Sequence, residues 1–279
     1  METIKRIKII KVAETENRHI EDWVAVEEPL EIRLQYGPLD NRIKKSISIT
    51  MRTPGDDVHL ALGFLLNEGI VRHSNEVLKC SLQTFHKGEL NPNIITASLH
   101  PEVSLHSFNL ERHFYTSSSC GLCGKASIEA VQSLGLPQLP KPTPMVSIKT
   151  ICSLPALLRQ HQQAFDATGG IHATALFDCN GHLIHTAEDV GRHNAMDKLS
   201  GWCMMHEHDL TNKILLLSGR ASFELIQKAA VTGIPMVAAV GAPSSLAVQT
   251  ASACNITLLG FTKASSANIY SHPERVTGL

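Results

Sequence analysis

Cys120 and Cys123 are separated by two residues in the run Thr116-Ser117-Ser118-Ser119-Cys120-Gly121-Leu122-Cys123-Gly124, and glycine follows each thiol. Glycine frees the backbone and leaves the sulfurs sterically open, so the run reads as an accessible loop. Lys125-Ala126-Ser127-Ile128-Glu129-Ala130-Val131 has helical character. A helix start and a lysine beside the thiols both favour thiolate. An approachable thiolate suits redox chemistry, metal binding and sulfur transfer alike, and a C-x-x-C spacing by itself leaves all three open.

A second set of chemical residues lies downstream. Ala187-Glu188-Asp189-Val190-Gly191-Arg192-His193-Asn194, Ser218-Gly219-Arg220-Ala221-Ser222 and Gly241-Ala242-Pro243-Ser244-Ser245 each follow an expected strand and open an expected helix. Helix-start N–H groups, with Arg192 and Arg220, suit phosphate or pyrophosphate oxygens. Three such loops on one sheet edge point to an anionic, nucleotide-like ligand; taken singly, each reads as an ordinary cap. Neither G-x-G-x-x-G nor G-x-x-x-x-G-K-[ST] occurs. His172, in Gly169-Gly170-Ile171-His172-Ala173-Thr174, reads as an acid/base group, a thiol partner, a ligand or a packed core histidine.

The elements that must position these residues follow from periodicity. Alternation over 30–34 and 45–51 predicts half-buried strands, and 58–67 predicts a helix ending near Gly69. Further strands are expected between Val77 and Leu105, with loops at Lys87-Gly88 and Asn91-Pro92. The proline-dense stretch 136–144 reads as a linker. Beyond it, a helix is expected over 153–165, then a hairpin about Cys179-Asn180-Gly181. Next come a helix over 192–205, a strand over 213–217 and a helix over 223–232. A strand over 235–240, a helix over 244–253 and a strand over 256–261 complete the pattern. Apolar strands separated by helices imply parallel pairing with helices on both faces of an α/β sheet.

The chain has 279 residues, 43% of them apolar, and a formal charge of −1. That balance gives no global pull toward nucleic acid or an anionic membrane, and no apolar stretch is long enough to span a bilayer. The start shows no export-signal pattern, and the seven cysteines are an odd count, so reduced thiols in a cytoplasm are expected. Cys80, Cys152, Cys179, Cys203 and Cys254 read as small core residues, and His206 and His208 as a solvated helix end.

The thiol run, Gly169-Gly170-Ile171-His172-Ala173, the stretch from Glu188 through Arg192-His193-Asn194 to Lys198, and Ser218-Gly219-Arg220 together resemble the FdhD/NarQ family. These are formate dehydrogenase accessory sulfurtransferases. Glu28-Pro29-Leu30, Arg52-Thr53-Pro54-Gly55-Asp56-Asp57, Gly63-Phe64-Leu65 and Glu68-Gly69 extend the likeness over nearly the whole chain. The resemblance implies a small N-terminal α+β domain (1–115), a mobile C-x-x-C loop (116–125) and a cytidine-deaminase-like α/β domain (126–279). It also implies a homodimer that takes sulfur from a cysteine desulfurase to the bis(molybdopterin guanine dinucleotide) molybdenum cofactor for formate dehydrogenase. Cys120 would carry the persulfide and Cys123 would assist; no permanently bound metal is implied. Phe261, Thr262, Lys263, Ala264, Ser265 and Ser266 would join Arg192, Ser218, Gly219, Arg220 and His172 around the cofactor and its guanine nucleotides. That segment is often richer in arginine in the family; Lys263 supplies a point charge without a bidentate fork.

Two rivals use the same residues differently. A cofactor escort needs only the strand-end loops and leaves the thiols idle. A zinc hydrolase of the deaminase type needs H-x-E ahead of P-C-x-x-C, whereas here serine precedes Cys120 and the nearest upstream histidine, His113, has Tyr115 two places on.

Overall fold

The computed structural model describes residues 2–14, 16–84, 90–103, 136–140 and 144–279. The chain opens with a ribbon of β1 (Ile4–Val12) and β2 (Asn17–Ala25), antiparallel with Ile9 opposite Ile20. Its alternation of Lys and Ile was visible in the sequence, but the ribbon is exposed on both faces. It therefore lacks the one-sided burial that marks a strand.

β3 (Glu28–Tyr36), β4 (Ile43–Arg52), β5 (Val77–Thr84) and β6 (Leu90–Leu99) form a four-stranded sheet in the order β4-β3-β6-β5. Leu30, Ile32 and Leu34 alternate into its buried face, where α1 (Asp57–Asn67) covers them with Leu60 and Leu65. Asn91 and Pro92, expected in a loop, lie inside β6. The register jumps there, from Leu82↔Ile95 to Gln83↔Asn91, and the irregularity accommodates a residue that cannot donate to the ladder. Lys87 and Gly88 lie outside the described residues.

The C-terminal part carries β7 (Val146–Ser147), α2 (Ile148–Arg159), α3 (Gln163–Thr168), β8 (His172–Asp178), β9 (Leu183–Asp189) and α4 (Arg192–Met205). It continues with β10 (Lys213–Leu217), α5 (Phe223–Thr232), β11 (Met236–Ala239) and α6 (Ser245–Ala253). β12 (Thr257–Lys263), β13 (Ser266–Ser271) and β14 (Val276–Thr277) close the chain. The six-stranded sheet has the order β13-β12-β11-β10-β8-β9. Its helices lie on both faces, as expected. Leu176, Leu215 and Val237 pack toward α4, α5 and α6, while Ala175, Leu216 and Ala238 pack toward α2.

The expectation of parallel pairing needs correction. Only β10, β11 and β12 run parallel; β8, β9 and β13 pair antiparallel with their neighbours. A short turn over Cys179-Asn180-Gly181 joins β8 to β9 as an antiparallel hairpin, and a second tight turn brings β13 back along β12.

The helix expected over 153–165 is two helices. Ser147 caps α2 by accepting from Thr150 N at 3.0 Å, so the helix starts earlier. It unwinds at Gln160, and α3 restarts where the Glu188 carboxylate accepts from Ala164 N and Phe165 N, each at 3.3 Å. That carboxylate comes from a distant strand, which local periodicity cannot reveal.

α1 crosses α4 at glycine. A Cβ on Gly63 would lie 1.8 Å from the Asp197 carbonyl oxygen, and one on Gly201 would lie 1.9 Å from that of His59. The close crossing draws the N-terminal sheet onto the helix whose first turn carries Arg192. The expected boundary at 116–125 falls outside the described residues, as does the helical stretch after Lys125.

Candidate functional site

Strands β9, β10, β11 and β12 end at the same edge of the sheet, and β8 starts there. His172, at the start of β8, stands opposite Asp189 at the end of β9. Ser218 grips the next residue from both sides: its Oγ accepts from Ala173 N at 2.8 Å, and its own N donates to Ala173 O at 3.0 Å. Gly219 lies so close that a Cβ there would sit 3.3 Å from His172 Nδ1.

Backbone bonds carry the row across the edge. Gly241 N donates to Gly219 O at 2.9 Å, and Phe261 N donates to Gly241 O at 3.1 Å. A Cβ on Gly241 would meet the Gly219 carbonyl oxygen at 2.9 Å, so glycine is what lets these strand ends touch. Phe261 pays for its place with φ 52°, a left-handed conformation unusual for a bulky side chain, and the residue is 43% exposed. Thr262 is buried with its Oγ1 unpartnered among the described residues. Lys263, Ala264, Ser265 and Ser266 form the exposed tip of the β12–β13 hairpin, overhanging the edge.

Arg192 is the first residue of α4, and Arg220 lies in the turn after β10. Among the described residues neither guanidinium makes an ion pair or a hydrogen bond. Both face His172 closely enough to act on it. Burial first, then the positive charges of Arg192, His193 and Arg220, hold its imidazole below the ordinary range. His172 is therefore neutral at pH 7 and offers one N–H donor and one acceptor among cations.

The structure thus brings together His172, Arg192, Ser218, Gly219 and Arg220, with Phe261 and Thr262 on the same edge and Lys263 through Ser266 beyond it. Cys120 and Cys123 lie outside the described residues. The third anticipated anion-binding helix start is an ordinary cap: Ser244 Oγ already accepts from Ala247 N at 3.2 Å.

Two features were missed in the sequence. His193 Nε2 lies 2.6 Å from Glu224 Oε2, tying the first turn of α4 to that of α5. An acid in the first turn of a helix was the available signal for Glu224. The second is a clamp behind Arg192. Asp189 accepts from Gly191 N, Asn194 Nδ2 and Thr53 N, and pairs with Lys198 Nζ at 2.8 Å. Burial pushes the Asp189 carboxyl up and the Lys198 ammonium pulls against it. Thr53 belongs to the turn after β4, so the N-terminal part reaches in and fixes the start of α4.

The other thiols contrast with a loop cysteine. Cys152, Cys203 and Cys254 are buried as expected, while Cys80 and Cys179 are half-buried. Burial pushes Cys80 and Cys203 up to about 12, which makes them inert at neutral pH. His206 and His208 are exposed as expected, yet both stack on Trp202. No helix among the described residues is long and apolar enough to cross a membrane.

The chain is 45% identical over 277 residues to the sulfur carrier protein FdhD of Streptomyces coelicolor, covering 98% of this chain and 95% of that one. It is 44% identical over 262 residues to the sulfur carrier protein FdhD of Mycobacterium tuberculosis, covering 92% of each. The crystal structure of a candidate formate dehydrogenase accessory protein from Desulfotalea psychrophila superposes with a TM-score of 0.72 at 21% identity. That match covers 99% of this chain and 100% of the other, and shows a shared fold. The FdhD/NarQ family model matches residues 25–277, and with relatives aligned over almost the whole length, the chain belongs to the FdhD/NarQ family.

Proposed function

We propose that this protein is a sulfurtransferase acting in the cytoplasm. It accepts sulfane sulfur on Cys120 from a cysteine desulfurase and delivers it to the bis(molybdopterin guanine dinucleotide) molybdenum cofactor that formate dehydrogenase needs. Its relatives are named sulfur carrier proteins, which supports the sulfur half of this reading. The observation that carries the cofactor half is the pair of arginines, Arg192 and Arg220, without a partner among the described residues and placed around His172 on one sheet edge.

The residues present fit the cargo. Guanylyl phosphates are anionic, and two guanidinium forks at helix starts suit them. His172, Ser218 and the Gly219 backbone add hydrogen-bonding groups, and the exposed Phe261 ring offers a flat apolar face. The hairpin tip from Lys263 to Ser266 would flank the cargo, with Lys263 as a single exposed charge.

Loading is a thiol exchange. The Cys120 thiolate attacks the outer sulfur of the desulfurase persulfide. The donor S–S bond breaks, its electron pair leaves on the desulfurase cysteine, and the outer sulfur stays on Cys120 as a new persulfide. For release, the Cys123 thiolate attacks Cys120 Sγ. Hydrosulfide leaves with the bonding pair, a Cys120–Cys123 disulfide remains, and an external dithiol must reduce it before the next cycle. In this reading the loop 116–125 joins the two parts of a protomer, and the protein works as a homodimer.

The test is loading from labelled cysteine and a cysteine desulfurase, read by mass spectrometry. Cys120→Ala should lose the sulfane adduct while keeping its fold. Cys123→Ala should load normally and support formate oxidation poorly. Undiminished labelling of Cys120→Ala removes Cys120 as the carrier. Full client activation with both thiols absent favours a plain escort.

A further inference from the structure

The two histidines at the strand edge have opposite neighbours. His172 faces the charges of Arg192, His193 and Arg220, with Asp189 opposing them. His193, in the first turn of α4, instead has a carboxylate against it. Glu224, in the first turn of α5, places Oε2 2.6 Å from His193 Nε2, and the two side chains are only 14% and 16% exposed. Burial pushes the Glu224 carboxyl up. The His193 bond and the charges of His193, Lys228 and Arg192 outweigh that and hold it below the ordinary range, so it is ionised at neutral pH.

An ionised carboxylate only accepts, so Nε2 carries the hydrogen of this bond. A buried carboxylate used in this way fixes the tautomer of an imidazole and supports its protonated form. Ser222 Oγ approaches the same Nε2, at 3.4 Å, and leaves the other nitrogen alone. Nδ1 makes no hydrogen bond among the described residues. In the neutral ring Nδ1 is then a bare lone pair, which repels a phosphate oxygen. Only the imidazolium donates from both nitrogens. The tautomer that Glu224 imposes makes an anion contact at Nδ1 depend on a proton.

The surrounding charges set when that proton arrives. Arg192 adjoins His193 in the chain, and neither Gly191 nor Ser222 caps its helix with a side chain, so the positive ends of α4 and α5 stay open. Lys228 pairs with Asp197 and Asp189 with Lys198, which leaves Glu224 as the carboxylate that serves His193. An anionic ligand supplies the further negative charge that a protonated His193 needs among these cations.

We infer that His193 is a further anion contact of the strand edge, that it takes up a proton from solvent as a nucleotide phosphate binds, and that Glu224 is its positioning residue. This rests on the strand edge being the nucleotide site. The test is calorimetric titration of guanosine diphosphate at pH 7 in HEPES and in Tris, whose different ionisation enthalpies count the protons taken up. Titration of the nucleotide itself is common to all the proteins and cancels between them. His193→Gln should bind about tenfold more weakly and take up fewer protons than the parent. Glu224→Gln keeps the shape of the pair but should lower the uptake, with affinity partly restored at pH 6. His172→Gln should bind more weakly and still take up the proton. A merely structural tie between α4 and α5 would move the melting temperature and leave the proton count alone. Guanosine diphosphate bound with equal proton counts by the parent and His193→Gln, or an uptake lost with His172 instead, overturns the inference. No saturable binding by the parent would remove the nucleotide reading of the edge itself, and this inference with it.

Discussion

The seam between the N-terminal part and α4 and the edge of the six-stranded sheet are both built from charged side chains, but they treat charge in opposite ways. Along the seam every principal buried charge is paired. Lys228 Nζ meets both oxygens of Asp197, at 2.5 and 2.7 Å, and Asn67 Nδ2 adds a third bond at 2.7 Å. Arg52 is fully buried against Asp57, and Lys198 against Asp189. At the strand edge, Arg192 and Arg220 have no such partner among the described residues. A buried charge without a partner is costly, so the seam closes on itself. Cations at a rim, beside a neutral histidine and helix starts, are poised for an anion from outside. The first arrangement holds the second in place, through Asp189 and Thr53 at the start of α4.

Breaking the seam should give the largest effect. Lys228→Ala leaves Asp197 buried without its counter-ion, and should cost about 3–5 kcal/mol of unfolding free energy. Denaturant titration measures this. A change within about 0.5 kcal/mol, the ordinary surface value, would mean that the pair is solvated and that the contrast between the regions fails.

Acid should attack the rim of the same seam. His185 stacks on Trp202 with ring centroids 4.0 Å apart. Burial, aided by the charges of His59, His206 and His208 and opposed by Asp56, pushes it down to about 4 from 6.5. The unfolded chain thus binds one more proton between those values. The His185 contribution is complete above pH 6.5 and is lost as pH falls toward 4, by at most about 1.4 kcal/mol per pH unit. Unfolding measured from pH 7 to 4.5 should show this slope, and His185→Phe should flatten it. An unchanged slope would free His185 from the effect.

The strand edge should respond in binding and not in stability. Arg220→Ala should weaken guanosine diphosphate by about ten- to a hundredfold, roughly 1.5–3 kcal/mol, with unfolding unchanged. Arg220→Lys should recover only part, since lysine lacks the fork. A variant that loses stability instead would place Arg220 with the seam.

The hairpin tip should matter least. Lys263 is exposed, so Lys263→Ala should change guanosine diphosphate affinity by less than about 1 kcal/mol. A larger loss would move the tip into the main contact.

What the sequence made legible follows the range of each interaction. Asn180-Gly181 announced the β8–β9 turn, and apolar runs located β10, α4 and α5 almost to the residue, because those signals are local. The strand-end loops bearing Arg192, Ser218 and Arg220 were legible for the same reason. Pairing direction was not, since it depends on which strands meet, and β13 was hidden behind a segment read for its chemistry. The bond between His193 and Glu224 and the reach of Thr53 into Asp189 join distant segments, so no spacing encodes them. The split of the helix expected over 153–165 has the same cause, a carboxylate supplied by β9.

The central claim is that the edge carrying Arg192 and Arg220 holds an anionic nucleotide on a scaffold fixed elsewhere. The direct test is calorimetric titration of guanosine diphosphate into the parent protein and the Arg192→Ala/Arg220→Ala double variant, with the unfolding midpoint of each recorded. Saturable binding by the parent, lost in a double variant that melts with the parent, is the predicted result. Equal binding by both proteins would contradict the claim and place the nucleotide elsewhere.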